Sequence, residues 1–306
     1  AGVSQTVAAP EAFSASPFRI WLALGAVYLI WGSTYLAIRF AVETMPPFLS
    51  AAARFIVSGA FLYSWRRLAG DPKPSGLERR NAAVIGIFLL VGGNGGVVWA
   101  AQFIPSSLAA LLVATVPLWM ILIDALRPRG ARPSSRVLSG ILIGFCGALL
   151  LIGWSADHAT PAHFSGAIAV LIASFFWAVG SIYGKSAALP ASPLLTTGIE
   201  MIAGGIGQIA AALFLGEFNS LKLDGISWRS ELAWLYLTGI GPIAFVAYAW
   251  LLRVAPIPLV ATYSYVNPLV AILLGYFLGK EILTARILFA ASLIIGSVVL
   301  VSSRKR

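Results

Sequence analysis

The chain reads as an all-α integral membrane protein: ten transmembrane helices in two inverted five-helix repeats around a central cavity. Three observations lead there. The 306 residues are 59% hydrophobic and 10% charged, with mean hydropathy +0.90, more apolar surface than a soluble fold of this length can bury. The apolar residues fall in stretches of about 20, the length that crosses a bilayer as a helix. A spaced pattern of Pro, Trp and basic residues in the first half returns in the second, the mark of an internal repeat.

Residues 1–17, AGVSQTVAAPEAFSASP, are rich in Ala, Ser and Pro and lack a basic segment followed by an apolar core. They read as a flexible tail rather than a signal peptide. The ten expected spans are 18–40, 47–66, 81–102, 106–126, 135–154, 164–184, 193–215, 231–252, 257–278 and 284–302. Single Gly and Pro residues inside them are compatible with membrane helices. The first repeat is then 18–154, an outer linker covers 155–163, the second repeat covers 164–303, and 304–306 form a basic tail.

Basic residues set the direction of insertion. With the N-terminus inside, fifteen Lys and Arg fall on the inner side, five on the outer side, and Arg54 within a span. Both termini are therefore expected in the cytoplasm of a bacterial inner membrane, which an even number of spans requires. The net charge of +10 belongs to this topology, since the cations collect in short loops. Nucleic-acid binding is not expected.

Composition excludes several classes. Cys146 is the sole cysteine, so no intramolecular disulfide and no multi-cysteine metal site can form. The only histidines, His158 and His163, fall in one expected loop. No metal and no cofactor are expected, and no catalytic residue is assigned. An intramembrane enzyme needs an activated nucleophile or a general base, yet no span carries a His or two carboxylates one turn apart. The run Gly92-Gly-Asn-Gly-Gly96 is not followed by the Lys and Ser/Thr of a phosphate loop. ATP-driven transport by this chain alone is thereby disfavoured.

At an offset of 151, Pro105 meets Pro256, Pro117 meets Pro268 and Trp99 meets Trp250. At an offset of 146, Trp31 meets Trp177, Arg39 meets Lys185 and Pro47 meets Pro193. Each half has five spans, an odd number, so the halves insert with opposite direction. Inverted repeats of this kind are typical of secondary transporters, whose solute sites lie near the midplane at broken helices. Pro117 removes the helical donor of the Val113 carbonyl, and Pro268 that of the Ser264 carbonyl. A packing kink would account for either proline alone; recurrence at matched positions favours a hinge beside a polar cavity.

Trp31-Gly-Ser-Thr opens the first helix, and the second half carries Tyr248 to Arg253, Ala255-Pro256, Tyr265-Val-Asn-Pro268-Leu and Leu278-Gly-Lys-Glu281. Together these resemble the EamA-type family of the drug/metabolite transporter superfamily over about residues 18–303. The first half departs from the family pattern after its fourth span, where Arg127-Pro-Arg-Gly stands in place of Leu-Gly-Glu. The resemblance implies the ten-helix fold, a central cavity and export of small metabolites. Among its members the YddG-type amino-acid exporters are the nearest implied type.

Ionisable groups inside a membrane are costly and therefore functional candidates. Arg54 and Glu200 each lie 23 residues beyond the matched tryptophans. Arg54 would hold a substrate carboxylate and Glu200 would take part in proton coupling; the competing reading pairs each with backbone or water at a cavity edge. Asp124 beside Arg127 reads as an interfacial ion pair. The expected solute-contacting set is Trp31, Tyr35, Asn94, Trp99, Trp119, Trp177, Tyr248, Tyr265 and Asn267, with Pro117 and Pro268 as hinges. For any single aromatic residue, packing is the competing reading. The expected partners are a small solute, an amino acid in the first instance, and the bilayer, with the chain acting as a monomer. A solute channel, or export of another drug or metabolite class on the same fold, stays open.

Overall fold

The structure is a computed structural model that describes residues 16–127, 133–153, 161–255, 257–260 and 262–302, without the side chains of 151–153, 257, 258, 265 and 302. The principal helices are α1 (Pro17–Ala41), α2 (Pro47–Leu68), α3 (Gly76–Ala100), α4 (Ser106–Leu126), α5 (Ser135–Gly153), α6 (Pro161–Ser186), α7 (Pro193–Phe214), α8 (Trp228–Val254), α9 (Tyr263–Phe277) and α10 (Ala285–Ser302). No strand occurs among the described residues. By length and composition α1–α4 and α6–α8 can cross a membrane; α5, α9 and α10 carry shorter apolar stretches.

Local chemistry explains where these helices start. Pro17, Pro47, Pro161 and Pro193 open α1, α2, α6 and α7, where a missing N–H costs nothing and φ is already helical. The helix α3 starts at Gly76, ahead of its expected apolar span, because Ser75 and Glu78 form a capping box. The Glu78 N–H donates to Ser75 Oγ (3.2 Å) and the Ser75 N–H to Glu78 Oε2 (2.7 Å). His163 likewise lies in α6 rather than in a loop. At the other end of α2, Arg66 donates to both oxygens of Asp71 (2.9 and 2.6 Å) and holds that carboxyl below its ordinary range.

Several helices are irregular inside the apolar layer. In α3, residues Ile87–Asn94 widen into a π-helical stretch. The Leu90 carbonyl there accepts from Gly95 N and from Gln208 Nε2 (2.6 Å) on α7. The helix α4 breaks between Val113 and Val116, immediately before Pro117. Pro268, by contrast, lies inside the helical run of α9, and the interruption falls earlier, at Thr262. The helix α8 has a joint at Ile240, before Gly241-Pro242.

Packing between the halves is close and reciprocal. The helix α2 lies along α7, and α5 along α10. Helix α1 contacts α8 and α9, and α6 contacts α3 and α4. Exchanging α1–α5 for α6–α10 carries the α2–α7 and α5–α10 pairs onto themselves and the α1 pairs onto the α6 pairs. Glycine permits the closest crossing: a Cβ on Gly59 would lie 2.8 Å from the Gly198 carbonyl oxygen, and one on Gly198 only 2.9 Å from Tyr63 N. A Cβ on Gly205 would lie 3.1 Å from the Ala52 carbonyl oxygen. The 146-residue offset takes Gly59 to Gly205 and Ala52 to Gly198, so these are two copies of one contact. On α5, Gly140 and Gly147 meet the Ser297 and Ala290 carbonyls of α10 in the same way (3.3 Å each).

The exterior carries exposed Leu29, Phe61, Leu142, Phe214 and Phe277, a lipid-compatible surface. Exposed Trp21, Trp65 and Trp228 lie near helix ends, where indole favours the membrane–water boundary. Gly198→Leu would force a side chain into the Gly59 and Tyr63 backbones. It is expected to cost about 1–3 kcal/mol, measured as a lower Tm of the detergent-purified protein; an unchanged Tm would contradict the α2–α7 contact.

Candidate functional site

Two cavities meet across a layer of aromatic rings. The first, of about 60 Å³, is bounded by α1, α3, α4, α6, α8 and α9. Its wall includes Trp31, Thr34 and Tyr35 from α1, Asn94 from α3, and Ser174 and Trp177 from α6. The second, of about 220 Å³, lies toward the C-terminal ends of α6 and α8 and the N-terminal end of α7. Trp177 and Phe245 line both.

The layer between them is built edge to face. Trp31 meets Trp177, Phe245 and Tyr263 at centroid distances of 5.6, 5.4 and 5.3 Å, and Tyr248 at 5.0 Å. Edge-to-face pairs contribute about 0.5–1.5 kcal/mol each beyond burial, so the cluster is cohesive without covalent or ionic ties. It sits where α1 and α6, repeat mates by the Trp31–Trp177 match, approach α8 and α9.

Broken helices expose backbone groups, and hydroxyls meet some of them. At the α4 break, Thr115 Oγ1 donates to the Leu112 carbonyl (2.6 Å), which also accepts from Ser174 Oγ (3.4 Å). Before α9, Thr262 Oγ1 donates to the Leu259 carbonyl and bonds Tyr28 Oη of α1. Val113 and Val116, on either side of the first break, face the central cavity.

The expected site residues distribute as follows. Trp31, Tyr35, Asn94 and Trp177 line the first cavity; Trp177, Tyr248 and Glu200 line the second. Trp99 packs on Phe103 (4.9 Å), and Trp119 on Phe145 and Phe175 (4.8 and 5.5 Å); neither is among the lining residues of these cavities. Asn267 is buried between helices, its amide nitrogen facing the Tyr28 and Tyr263 carbonyls (3.3 and 3.2 Å), a tie between α1 and α9. The side chain of Tyr265 lies outside the described residues. Pro117 follows a break and Pro268 does not, as described above. Asp124 and Arg127 form a half-exposed pair at 3.7 Å.

Arg54 is 4% exposed and donates to Asn94 Oδ1 (2.7 Å), with its guanidinium carbon 4.3 Å from the Phe55 ring centre. It lines a small separate pocket beside Trp234 rather than either main cavity. Its effect on the central cavity runs through Asn94: by occupying Oδ1 it leaves the Asn94 amide N–H groups as the donors on that wall.

Sequence reasoning missed the roles of two carboxylates that hold helix starts. Glu281, between α9 and α10, accepts from the N–H and hydroxyl of Ser106 (2.7 Å each) and of Ser107 (3.1 and 2.5 Å) at the start of α4. Arg39, at the end of α1, pairs with the same carboxylate. Glu217 accepts from Phe48 N and Leu49 N (3.1 and 2.9 Å) at the start of α2. A carboxylate at a helix N-terminus satisfies free N–H groups and complements the dipole. The signals in the sequence were a Glu in each of two expected outer loops and, for Glu281, its place in the Leu278-Gly-Lys-Glu281 motif.

Burial alone would raise the Glu281 carboxyl, but the donors from Ser107 and Ser106 hold it below the usual glutamate value. A lowered acid favours the ionised folded form, so its contribution is complete above the ordinary range near ~4.3 and is lost as pH falls through the depressed value. Glu281→Ala leaves buried donors unmet and is expected to cost about 1–3 kcal/mol at pH 7. The Tm difference between wild type and variant should shrink as pH falls below about 4; a difference flat with pH would contradict the ionised latch.

The EamA-like transporter family matches residues 18–153 and again 164–303. The chain is 39% identical over 284 residues to the inner membrane transporter YedA of Escherichia coli (strain K12), covering 92% of this chain and 90% of that one. It is 26% identical over 278 residues to the aromatic amino acid exporter YddG of Ancylobacter novellus, covering 88% and 91%. A solved crystal structure aligns with TM-score 0.61 at 20% identity over 94% of this chain and 98% of that one, a likeness of fold alone.

Proposed function

The chain belongs to the EamA-like transporter family and is a membrane transporter; on that premise we propose that it exports small metabolites, namely aromatic and other neutral amino acids, across the bacterial inner membrane by alternating access. The observation that carries this reading is the pair of cavities divided by the Trp31–Trp177–Phe245 layer. A solute passing between them must displace rings, and toward the other face Glu281 and Glu217 tie the starts of α4 and α2. An aromatic layer across the route suits a carrier rather than a continuous pore.

In this reading the spans number ten and the two halves are inverted copies. Support comes from the family matching twice along the chain and from the reciprocal helix contacts, including the Gly59–Gly198 and Gly205–Ala52 crossings. The face with Arg253 and Lys185 is the cytoplasmic one by the distribution of Lys and Arg. The solute is taken up there, crosses the aromatic layer into the central cavity, and leaves after the halves tilt and the Glu281 latch opens. Apolar walls with Thr34, Tyr35, Asn94 and Ser174 suit an apolar or aromatic side chain carrying a compact polar head. The name of the YddG relative supports an amino acid as that solute.

Counterflow in proteoliposomes tests the reading. Unlabelled Thr, Met, Phe or Trp inside should stimulate uptake of labelled amino acid, whereas sugars and nucleosides should not. Stimulation by another metabolite class and by no amino acid would reassign the substrate within the same fold. Uptake that never saturates and shows no counterflow would favour a solute channel.

A further inference from the structure

The cavity on the Arg253 side holds a cation and an acid that act on each other across it without direct contact. Arg253, in the last turn of α8, donates to the Ala191 and Pro190 carbonyls (the latter at 3.2 Å) and to Thr196 Oγ1 (3.5 Å). All three acceptors are neutral oxygens, so the guanidinium is held in place without a carboxylate against it. Glu200 lines the same cavity, and among the described residues no hydrogen bond or ion pair closes it onto a protein partner. Two further buried polar atoms, Ser181 Oγ and Trp177 Nε1, make no well-formed hydrogen bond, with the Tyr248 hydroxyl as their neighbour. Both residues line this cavity.

The placement of these groups has a direction. Thr196 and Glu200 are four residues apart on α7, on one face and about 6 Å apart along the axis. Arg253 is tied at the Thr196 level and below it, at the mouth; Glu200 is one turn deeper. Trp177 and Phe245 form the far wall. A cation and an acid about one helical turn apart along α7, not in direct contact and in front of an apolar wall, match a molecule bearing both charges on one carbon and an apolar remainder. Charge-assisted contacts of about 2.7–2.9 Å at each end bridge that interval around the two heads of an α-amino acid.

We propose that this cavity is a recognition site for a zwitterion, in which Glu200 receives the substrate ammonium, Arg253 its carboxylate, and the Trp177–Phe245 wall its side chain. The proposal rests on the amino-acid reading of the transport function and adds the residues that select it. Ser181 and Trp177 supply the neutral donors beside the carboxylate and the passing side chain. Lys185, at the rim, adds positive potential on the approach path.

The test uses the purified full chain in nanodiscs and labelled L-phenylalanine. In wild type, 2-phenylethylamine and 3-phenylpropionate, which lack one head each, should compete at least about tenfold more weakly than phenylalanine itself. Glu200→Gln should weaken phenylalanine binding at least about tenfold and remove the discrimination against 3-phenylpropionate. Arg253→Gln should do the same for 2-phenylethylamine. Unchanged affinity and discrimination in both variants would overturn the assignment while leaving amino-acid export standing. No binding of any amino acid to wild type would instead overturn the amino-acid reading, and the site with it. Should either variant fail to fold, Leu189→Cys in a Cys146→Ser background places a thiol on the same cavity wall. Phenylalanine should slow its alkylation by a maleimide; an unaltered rate at saturating ligand would place the amino acid elsewhere and overturn the proposal.

Discussion

A helix that stops within a bilayer leaves carbonyls and N–H groups with no water to take them, and most irregular features here answer that constraint. The break in α4 is met by Thr115 and Ser174 at the Leu112 carbonyl, and the interruption before α9 by Thr262 at the Leu259 carbonyl. The π-helical stretch of α3 is met by Gln208, fully buried on α7. At the helix starts on one face, Glu281 and Glu217 take the free N–H groups. With those groups satisfied internally, broken helices can border a cavity, and the cavity can exist at membrane depth.

Close backbone approach is the second requirement. Gly92, Gly93, Gly95 and Gly96 on α3 let α6 and α2 come near: a Cβ on Gly92 would lie 2.6 Å from the Phe176 ring, and one on Gly96 2.8 Å from Ala173 Cβ. Gly86 is tighter still, since a Cβ there would fall 2.2 Å from the Glu200 carbonyl oxygen. The backbone that carries Glu200 is therefore seated directly on α3. Small residues thus fix the position of a charged one, which ties the helix packing to the chemistry of the cavity.

Much of the helical layout was legible because hydropathy over 20 residues is a strong signal, and because Trp31, Trp177, Pro117 and Pro268 recur at regular offsets. The centre of the aromatic layer was legible for the same reason. Boundaries set by polar chemistry were not: the Ser75–Glu78 box starts α3 early, and hydropathy is blind to it. Trp99 and Trp119 look like Trp31 in sequence, but their rings turn toward Phe103, Phe145 and Phe175, and rotation about a helix axis is not encoded in spacing alone. Arg54 and Glu200 were singled out as isolated charges. That Asn94 would engage one while the other faced Arg253 depended on contacts between distant segments. The roles of Glu281 and Glu217 were hidden because a carboxylate in a loop carries no mark of the helix it will cap.

The Glu281 latch also makes the two ends of the molecule unequal. Ser106 and Ser107 give Glu281 two backbone and two hydroxyl donors, whereas the positions 151 residues later are Ile257 and Pro258, which offer no hydroxyl and, at the proline, no N–H. In the proposed cycle, halves that are copies in sequence therefore hold their two sides with different contacts. Each 1.4 kcal/mol of difference between the sides is about tenfold in the ratio of the two facing states. In the proposed cycle the empty carrier rests facing the side without the latch. Substrate binding then has to supply the free energy that opens the other, so idle leakage is restrained by the same four donors that hold the helix end.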